Sequence, residues 1–240
     1  MNLMQVEQVT KKFSGLTAVN EVSIDIAQGS ITGLIGPNGA GKTTFFNCIS
    51  GYYPVDTGEI FYQGSNVTNS GAHRMCRMGV ARTFQIVKPF GNLTVKENVM
   101  VGAYNTTSSR AEATEIAHHA LEFVGLTRHE NKVAHDITIC EQRILEMARA
   151  LATKPKLLLL DEVMAGLNPT EVESVKEIIQ KIRESGVTIL MIEHIMAALM
   201  SLSDRVVVLN QGALLAEGTP EEVTHNQQVI DSYFGGELEC

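Results

Sequence analysis

The sequence predicts an α/β fold: a mostly parallel core sheet with helices on both faces, an antiparallel edge near the N-terminal end, and an inserted helical lobe. Three observations support this. Apolar runs at residues 31–35, 80–84, 157–160, 188–192 and 205–209 largely lack polar alternation, as strands buried on both faces should. Between two of these runs, Val172, Val175, Ile178, Ile179 and Ile182 recur at helical spacing, the pattern of a crossover helix. A glycine-rich stretch, GPNGAGKTT at residues 36–44, separates the first run from Phe45, Phe46, Cys48 and Ile49, so a strand passes through a loop into a helix.

Residues 4–9 and 21–26 alternate apolar and polar positions and read as short strands, joined by the polar, glycine-containing stretch 11–20. They form the antiparallel edge. The crossover helix has its own start signals: Asn168 as N-cap, Pro169 in the first turn and Glu171 closing a capping box. From residue 95 to 153 no strong strand pattern occurs, whereas Ser109 to Glu112 and Thr138 to Glu141 carry capping-box spacing. The second of these helices aligns Ile144, Met147, Ala148 and Leu151 as a core stripe. The division expected is therefore a core of residues 1–88 and 154–240 and a helical lobe over about 89–153. No internal repeat or low-complexity linker interrupts it.

With 240 residues, 44% of them hydrophobic, and 6 prolines, the chain can bury a substantial core. The net charge of −8 and pI near 5.4 leave no basic stripe to displace counterions from phosphates, so nucleic acid is not an expected partner. Cys48, Cys76, Cys140 and Cys240 show no metal-like or redox-like spacing. No charged-then-apolar leader precedes the first strand, and a reducing cytoplasm is expected. The apolar runs are far shorter than the roughly 20 residues that cross a bilayer, so any membrane role would act through a partner.

Gly36, Pro37, Asn38, Gly39, Ala40, Gly41, Lys42, Thr43 and Thr44 match the P-loop pattern. Its glycines let successive backbone N–H groups point at phosphate oxygens, and the helix that follows adds positive potential. Lys42 would meet the β- and γ-phosphates and the Thr43 hydroxyl would hold Mg²⁺. The run Leu157-Leu158-Leu159-Leu160-Asp161-Glu162 is a Walker B pattern, with two carboxylates at the C-terminal end of a buried strand, where ligands gather in open parallel sheets. Asp161 would orient Mg²⁺, and Glu162 would polarise an attacking water. The fold class is thus a P-loop NTPase (RecA-like) core.

Over nearly its whole length the chain resembles the nucleotide-binding subunit of an ATP-binding cassette (ABC) transporter, and the resemblance carries further expectations. Phe13 stands where that family stacks an aromatic on adenine. Gln85, in Ala81-Arg82-Thr83-Phe84-Gln85, resembles the glutamine that senses Mg²⁺ and the γ-phosphate and touches the membrane partner. His194, after the run 188–192, resembles the switch histidine of the γ-phosphate. The family's signature segment aligns with Ile137-Thr138-Ile139-Cys140-Glu141-Gln142-Arg143 and is degenerate. Thr138 keeps a hydroxyl able to cap the helix and reach phosphate, whereas Cys140 replaces a glycine and would set a side chain at the approach of the ATP held by the opposite protomer. Asn168 takes the place of the usual aspartate after Glu162.

The resemblance implies ATP hydrolysis with Mg²⁺ coupled to transport. It also implies a homodimer or a heterodimer with a related ATPase subunit, permease subunits that hold the chain peripherally at the inner face of the plasma membrane, and indirectly a substrate-binding protein. The segments 82–85, 93–98 and 216–222 resemble ATPase subunits of branched-chain amino-acid uptake. Importers of urea or other amides and the lipopolysaccharide-export ATPase share much of this wording. Other classes remain open: a hydrolysis-impaired nucleotide-binding regulator, suggested by Cys140, a soluble ABC-type ATPase acting on ribosomes or DNA, and a P-loop small-molecule kinase. The last two lack support from a second cassette, a basic insertion or a need for Glu162 beside Asp161.

Overall fold

The computed structural model describes residues 1–85 and 89–234. Residues 86–88 and 235–240, which include the expected border of the lobe and Cys240, lie outside the described residues. In chain order the elements are β1 (Asn2–Phe13), β2 (Leu16–Ala27), β3 (Ile31–Ile35), α1 (Lys42–Ile49), β4 (Thr57–Tyr62), β5 (Ser65–Asn66), α2 (Ala72–Arg77) and β6 (Val80–Arg82). The lobe follows, with α3 (Val95–Ala103), α4 (Arg110–Phe123) and α5 (Ile139–Leu151). Then come β7 (Leu157–Asp161), α6 (Pro169–Glu184), β8 (Thr188–Ile192), α7 (Met196–Leu202), β9 (Arg205–Asn210), β10 (Ala213–Gly218), α8 (Pro220–Thr224) and α9 (Gln227–Phe234).

All of the apolar runs become strands of one six-stranded sheet in the order β10-β9-β3-β8-β7-β6. The neighbours from β9 to β6 are parallel, and β10 pairs antiparallel with β9. The unbroken leucines of β7 have a direct explanation. Leu157 and Leu159 pack on one face of the sheet with Phe45, Phe46 and Ile49 of α1, while Leu158 and Leu160 pack on the other with Val175, Ile179 and Ile182 of α6. Alternation still exists, but both faces are dry.

The N-terminal strands depart from expectation. They are not an edge of the core sheet but belong to a second, four-stranded antiparallel sheet, β2-β1-β4-β5. Its inner face, with Met4, Val6, Ile24 and Ile60, closes over α1. The polar stretch 11–20 is mostly strand rather than connection: Lys11 pairs with Val19, Lys12 with Thr17 and Phe13 with Leu16. Register shifts between Val6 and Val9 and between Val9 and Lys11, with Gln8 and Glu21 at positive φ, break the period of two and hide the strand from a periodicity reading.

The lobe is helical, as predicted, and contains one helix more than its sequence signals had suggested. Thr94 caps α3 through a full capping box with Glu97. Val95, Val99 and Ala103 of α3 pack with Ala113, Ala117 and Leu121 of α4 and Leu145 and Ala148 of α5. Asn168, Pro169 and Glu171 open α6 as expected. Among the described residues no helix is long and apolar enough to cross a membrane.

Candidate functional site

β3 ends at Ile35, and the chain turns through Gly36 to Gly41 before α1 begins at Lys42. The turn is wedged between β9 and β2. A Cβ on Gly36 would stand 2.1 Å from the Leu209 carbonyl oxygen, and one on Gly41, at φ +97, would stand 2.3 Å from that of Ala18. Only glycine fits either place. Gly212 at the turn between β9 and β10 donates its N–H to the Ala40 carbonyl at 3.1 Å. Gly41, the N-cap of α1, offers no side-chain cap, so the first N–H groups of that helix face a cleft of about 560 Å³.

The cleft is lined by Asn38, Gly39, Ala40, Gly41, Lys42, Thr43 and Thr44. Gln85, Glu162 and His194 join them from distant positions in the sequence. Gly36 and Pro37 do not line it; their carbonyls accept from Lys42 Nζ at 2.6 and 3.1 Å. Burial lowers the pKa of Lys42, and Glu162 and Asp161 act in the opposite direction. Phe13 stands outside this lining. It makes an edge contact with Tyr53 at a centroid distance of 5.3 Å and lies beneath Lys11 Nζ. The apolar wall is instead supplied by Leu16, 67% exposed, and Ala18, residues that carry no motif and were missed in the sequence.

Asp161 closes β7 and is 2% exposed. Arg82 Nη2 donates to its Oδ2 at 2.8 Å, while its Oδ1 is buried without a hydrogen-bond partner. Burial raises the Asp161 pKa against the pull of Arg82. At Glu162 the backbone is left-handed, with φ 52, and its N–H donates to Ile192 O at 2.9 Å. This turns the side chain to meet two partners. Gln85 Nε2 donates to Oε2 at 2.8 Å, and His194, in its Nε2–H tautomer, donates to Oε1 at 3.0 Å. Thr43, Gln85 and Asp161 also share a second cavity of about 600 Å³ with Arg82, Phe84 and Phe90.

Arg143, which the sequence marked only as a continuation of the signature segment, ties that segment to Gln85. It is 8% exposed, and its Nη1 donates to the Gln85 carbonyl at 2.7 Å. Arg82 is likewise a neighbour of the site without a motif of its own. A buried cation paired to a carboxylate or to backbone carbonyls cannot be recognised until the fold supplies the partner.

The signature segment corrects one expectation. Thr138 caps α5, its Oγ1 accepting from the Glu141 N–H at 3.2 Å and its own N–H donating to Glu141 Oε2 at 2.9 Å. The Cys140 side chain does not stand at an approach. It is 8% exposed and packed into the lobe core, on the same stripe as Ile144 and Met147, and burial raises its pKa. The side chain left at the surface is Ile139, 67% exposed. The reason is helical geometry, because Cys140 and Ile144 are four residues apart and share a face. Neither Thr138 nor Cys140 lines either cavity.

A P-loop nucleotide-binding cassette is the class that this fold and cleft define. The profile of the family described as ABC transporter matches residues 19–165, and that described as branched-chain amino acid ATP-binding cassette transporter matches residues 213–239. The chain is 43% identical to the high-affinity branched-chain amino acid transport ATP-binding protein BraF of Pseudomonas aeruginosa, over 97% of this chain and 98% of that one. It is 42% identical to LivG of Escherichia coli with the same coverage. A probable LivG of Archaeoglobus fulgidus is 36% identical over 100% and 99% of the two chains. Among solved structures, a nucleotide-free ATP-binding cassette from an ABC transporter superposes with a TM-score of 0.90 at 28% identity, covering 98% of this chain and all of that one. The ADP conformation of the cassette MJ1267 gives 0.89 at 28% identity, over 98% and 99%. This chain belongs to the ABC transporter family, as one of its ATP-binding, ATP-hydrolysing subunits.

Proposed function

We propose that this subunit hydrolyses ATP to drive uptake of branched-chain amino acids through a pair of permease subunits at the inner face of the membrane. The observation that carries the hydrolytic part is the meeting of Gln85, Glu162 and His194 at the mouth of the P-loop cleft. The solute rests on the names of relatives 42–43% identical over nearly the full chain.

Lys42 and the N–H groups around Gly39, Gly41 and Thr44 bind the phosphates, and Leu16 and Ala18 give the base an apolar wall. The donor set fits Mg²⁺: a hydroxyl on Thr43, an amide oxygen on Gln85 and the unpartnered Oδ1 of Asp161 line one cavity. Mg²⁺ bound there would supply neutralising charge to the phosphates. Glu162 takes the proton of the attacking water as general base, oriented by Gln85 and His194. Thr138 and the start of α5 reach the ATP of a second subunit, so two chains complete each site. The permease docks at the cavity between core and lobe, where Phe84 and Phe90 are half exposed beside Gln85.

The test is phosphate release and leucine uptake by the subunit reconstituted with its permease and binding protein. Glu162→Gln is expected to lower turnover by a factor of about 10² to 10⁴ while ATP-bound dimers accumulate in gel filtration. Undiminished hydrolysis in that variant would refute the role of Glu162, and uptake of urea in place of leucine would redirect the solute.

A further inference from the structure

β8 is wholly buried and, after Thr188, apolar, yet the residue that follows it, Glu193, is a carboxylate only 2% exposed. A group so placed needs partners to offset its desolvation. Oε1 accepts the Met164 N–H at 2.8 Å, and the next residue along the chain is His194. Glu193 thus joins two segments that meet at the site. Met164 lies in the turn that leaves Glu162, and His194 carries the imidazole that bonds Glu162 Oε1 at 3.0 Å.

Burial of Val163 and Met164 in the core and the Glu162 N–H bond to Ile192 O hold the start of the turn, but its own polar contacts are weaker. Its internal bonds are long, 3.3 Å from the Ala165 N–H to the Glu162 carbonyl and 3.2 Å from the Leu167 N–H to the Met164 carbonyl. It also starts from a left-handed residue, Glu162. Glu193 itself lines neither cavity and is 2% exposed, so its influence runs through its neighbours. We infer that Glu193 is a positioning residue for hydrolysis, one buried carboxylate that binds the turn after Glu162 and leads directly into His194, so that base and histidine stay in register. This rests on the assignment of Glu162 and His194 to hydrolysis.

The requirement is for an acceptor at the right reach, not for a negative charge, and two conservative variants separate these. Glu193→Gln keeps an oxygen at the same distance. Glu193→Asp keeps the charge and withdraws the oxygen by one methylene. With the full-length protein, Glu193→Asp is expected to lose roughly ten- to a hundredfold in kcat, with KM for ATP within about twofold. Glu193→Gln is expected to keep kcat within about threefold and a Tm no lower than that of the unsubstituted protein. Wild-type turnover in Glu193→Asp, or a loss in Glu193→Gln as large as that in Glu193→Asp, would overturn the inference. His194→Ala and Glu162→Gln run alongside: if they too leave turnover intact, the failure lies in the assignment of the hydrolytic residues and not in Glu193 alone.

Discussion

The helices α1 and α5 both begin on polar loops, but α1 begins open and α5 begins closed. Gly41 gives α1 no cap, its first N–H groups line the cleft, and Lys42 is held behind them by backbone carbonyls. At α5 two donors are already engaged: the Thr138 hydroxyl takes the Glu141 N–H, and the Glu141 carboxylate takes that of Thr138. His129 Nε2 lies 2.8 Å from Glu141 Oε1, and Arg128 Nη2 lies 3.3 Å from it. An open helix start is an anion site awaiting its ligand, whereas a boxed one has spent two of its donors on its own stability. Around α1 the neighbouring groups are strained electrostatically, with Asp161, Lys42 and Glu193 all buried. In the proposed dimer, therefore, the half of the site on α1 is prepared before ATP arrives, and the half on α5 meets the phosphate beside a carboxylate already in place, that of Glu141.

The largest expected effect tests the strained half. Burial, and secondarily the Glu162 charge, lift the Glu193 pKa to about 7. Its folded pKa thus exceeds the ordinary 4.5, so the protonated acid is favoured in the fold. The penalty for ionising it is absent below about pH 4.5, grows between pH 4.5 and 7, and is complete above 7. A shift of this size corresponds to roughly 3 kcal/mol. Denaturant unfolding of Glu193→Gln should show stability above that of the unsubstituted protein at pH 8 and a difference that closes by pH 5. A difference independent of pH would mean that the carboxyl titrates normally.

Next comes Cys140→Gly. Had the thiol obstructed a phosphate, its removal would speed turnover. Because it is packed in the lobe core, the expected outcome is a loss of stability of about 1–2 kcal/mol, from the glycine in the first turn and the vacated volume. No gain in steady-state phosphate release should accompany it.

Thr138→Ala removes a cap and should lower stability by about 1 kcal/mol, measurable as a lower Tm, and should also weaken ATP-driven dimerisation. The smallest effect is assigned to Glu141→Gln, which keeps the capping geometry but removes a negative charge from the helix start. Dimerisation by ATP should tighten a few-fold, in line with a contribution of about 0.3–1 kcal/mol from a charge at a helix terminus, as read by analytical ultracentrifugation. Weaker dimerisation in this variant would mean that Glu141 is not near the partner's phosphate.

The core sheet was legible because its strands are buried on both faces, and a continuous apolar run such as residues 157–160 needs no partner to be recognised. The P-loop was legible because its glycines answer a local demand for close backbone approach. The antiparallel sheet was only half legible: the bulges near Gln8 and Glu21 interrupt the alternation, and polar residues 11–20 pair across a two-residue turn. α3 was overlooked although Thr94 and Glu97 spell a capping box, because its few apolar positions are read as a helix face only once α4 and α5 cover them.

The sequence by itself marked the groups proposed to do chemistry: the glycines, Lys42 and Thr43, the carboxylates Asp161 and Glu162, and, through the family resemblance, Gln85 and His194. The P-loop and the paired carboxylates are properties of residue type and local spacing. Tertiary structure alone decided which side chains meet. It placed Arg82 on Asp161, Arg143 on the Gln85 carbonyl and Glu193 on the Met164 amide, and it turned Cys140 inward while leaving Ile139 at the surface. The physical reason is that a buried polar group is defined by its partner, and a partner 29, 58 or 79 residues away leaves no periodic trace in the chain.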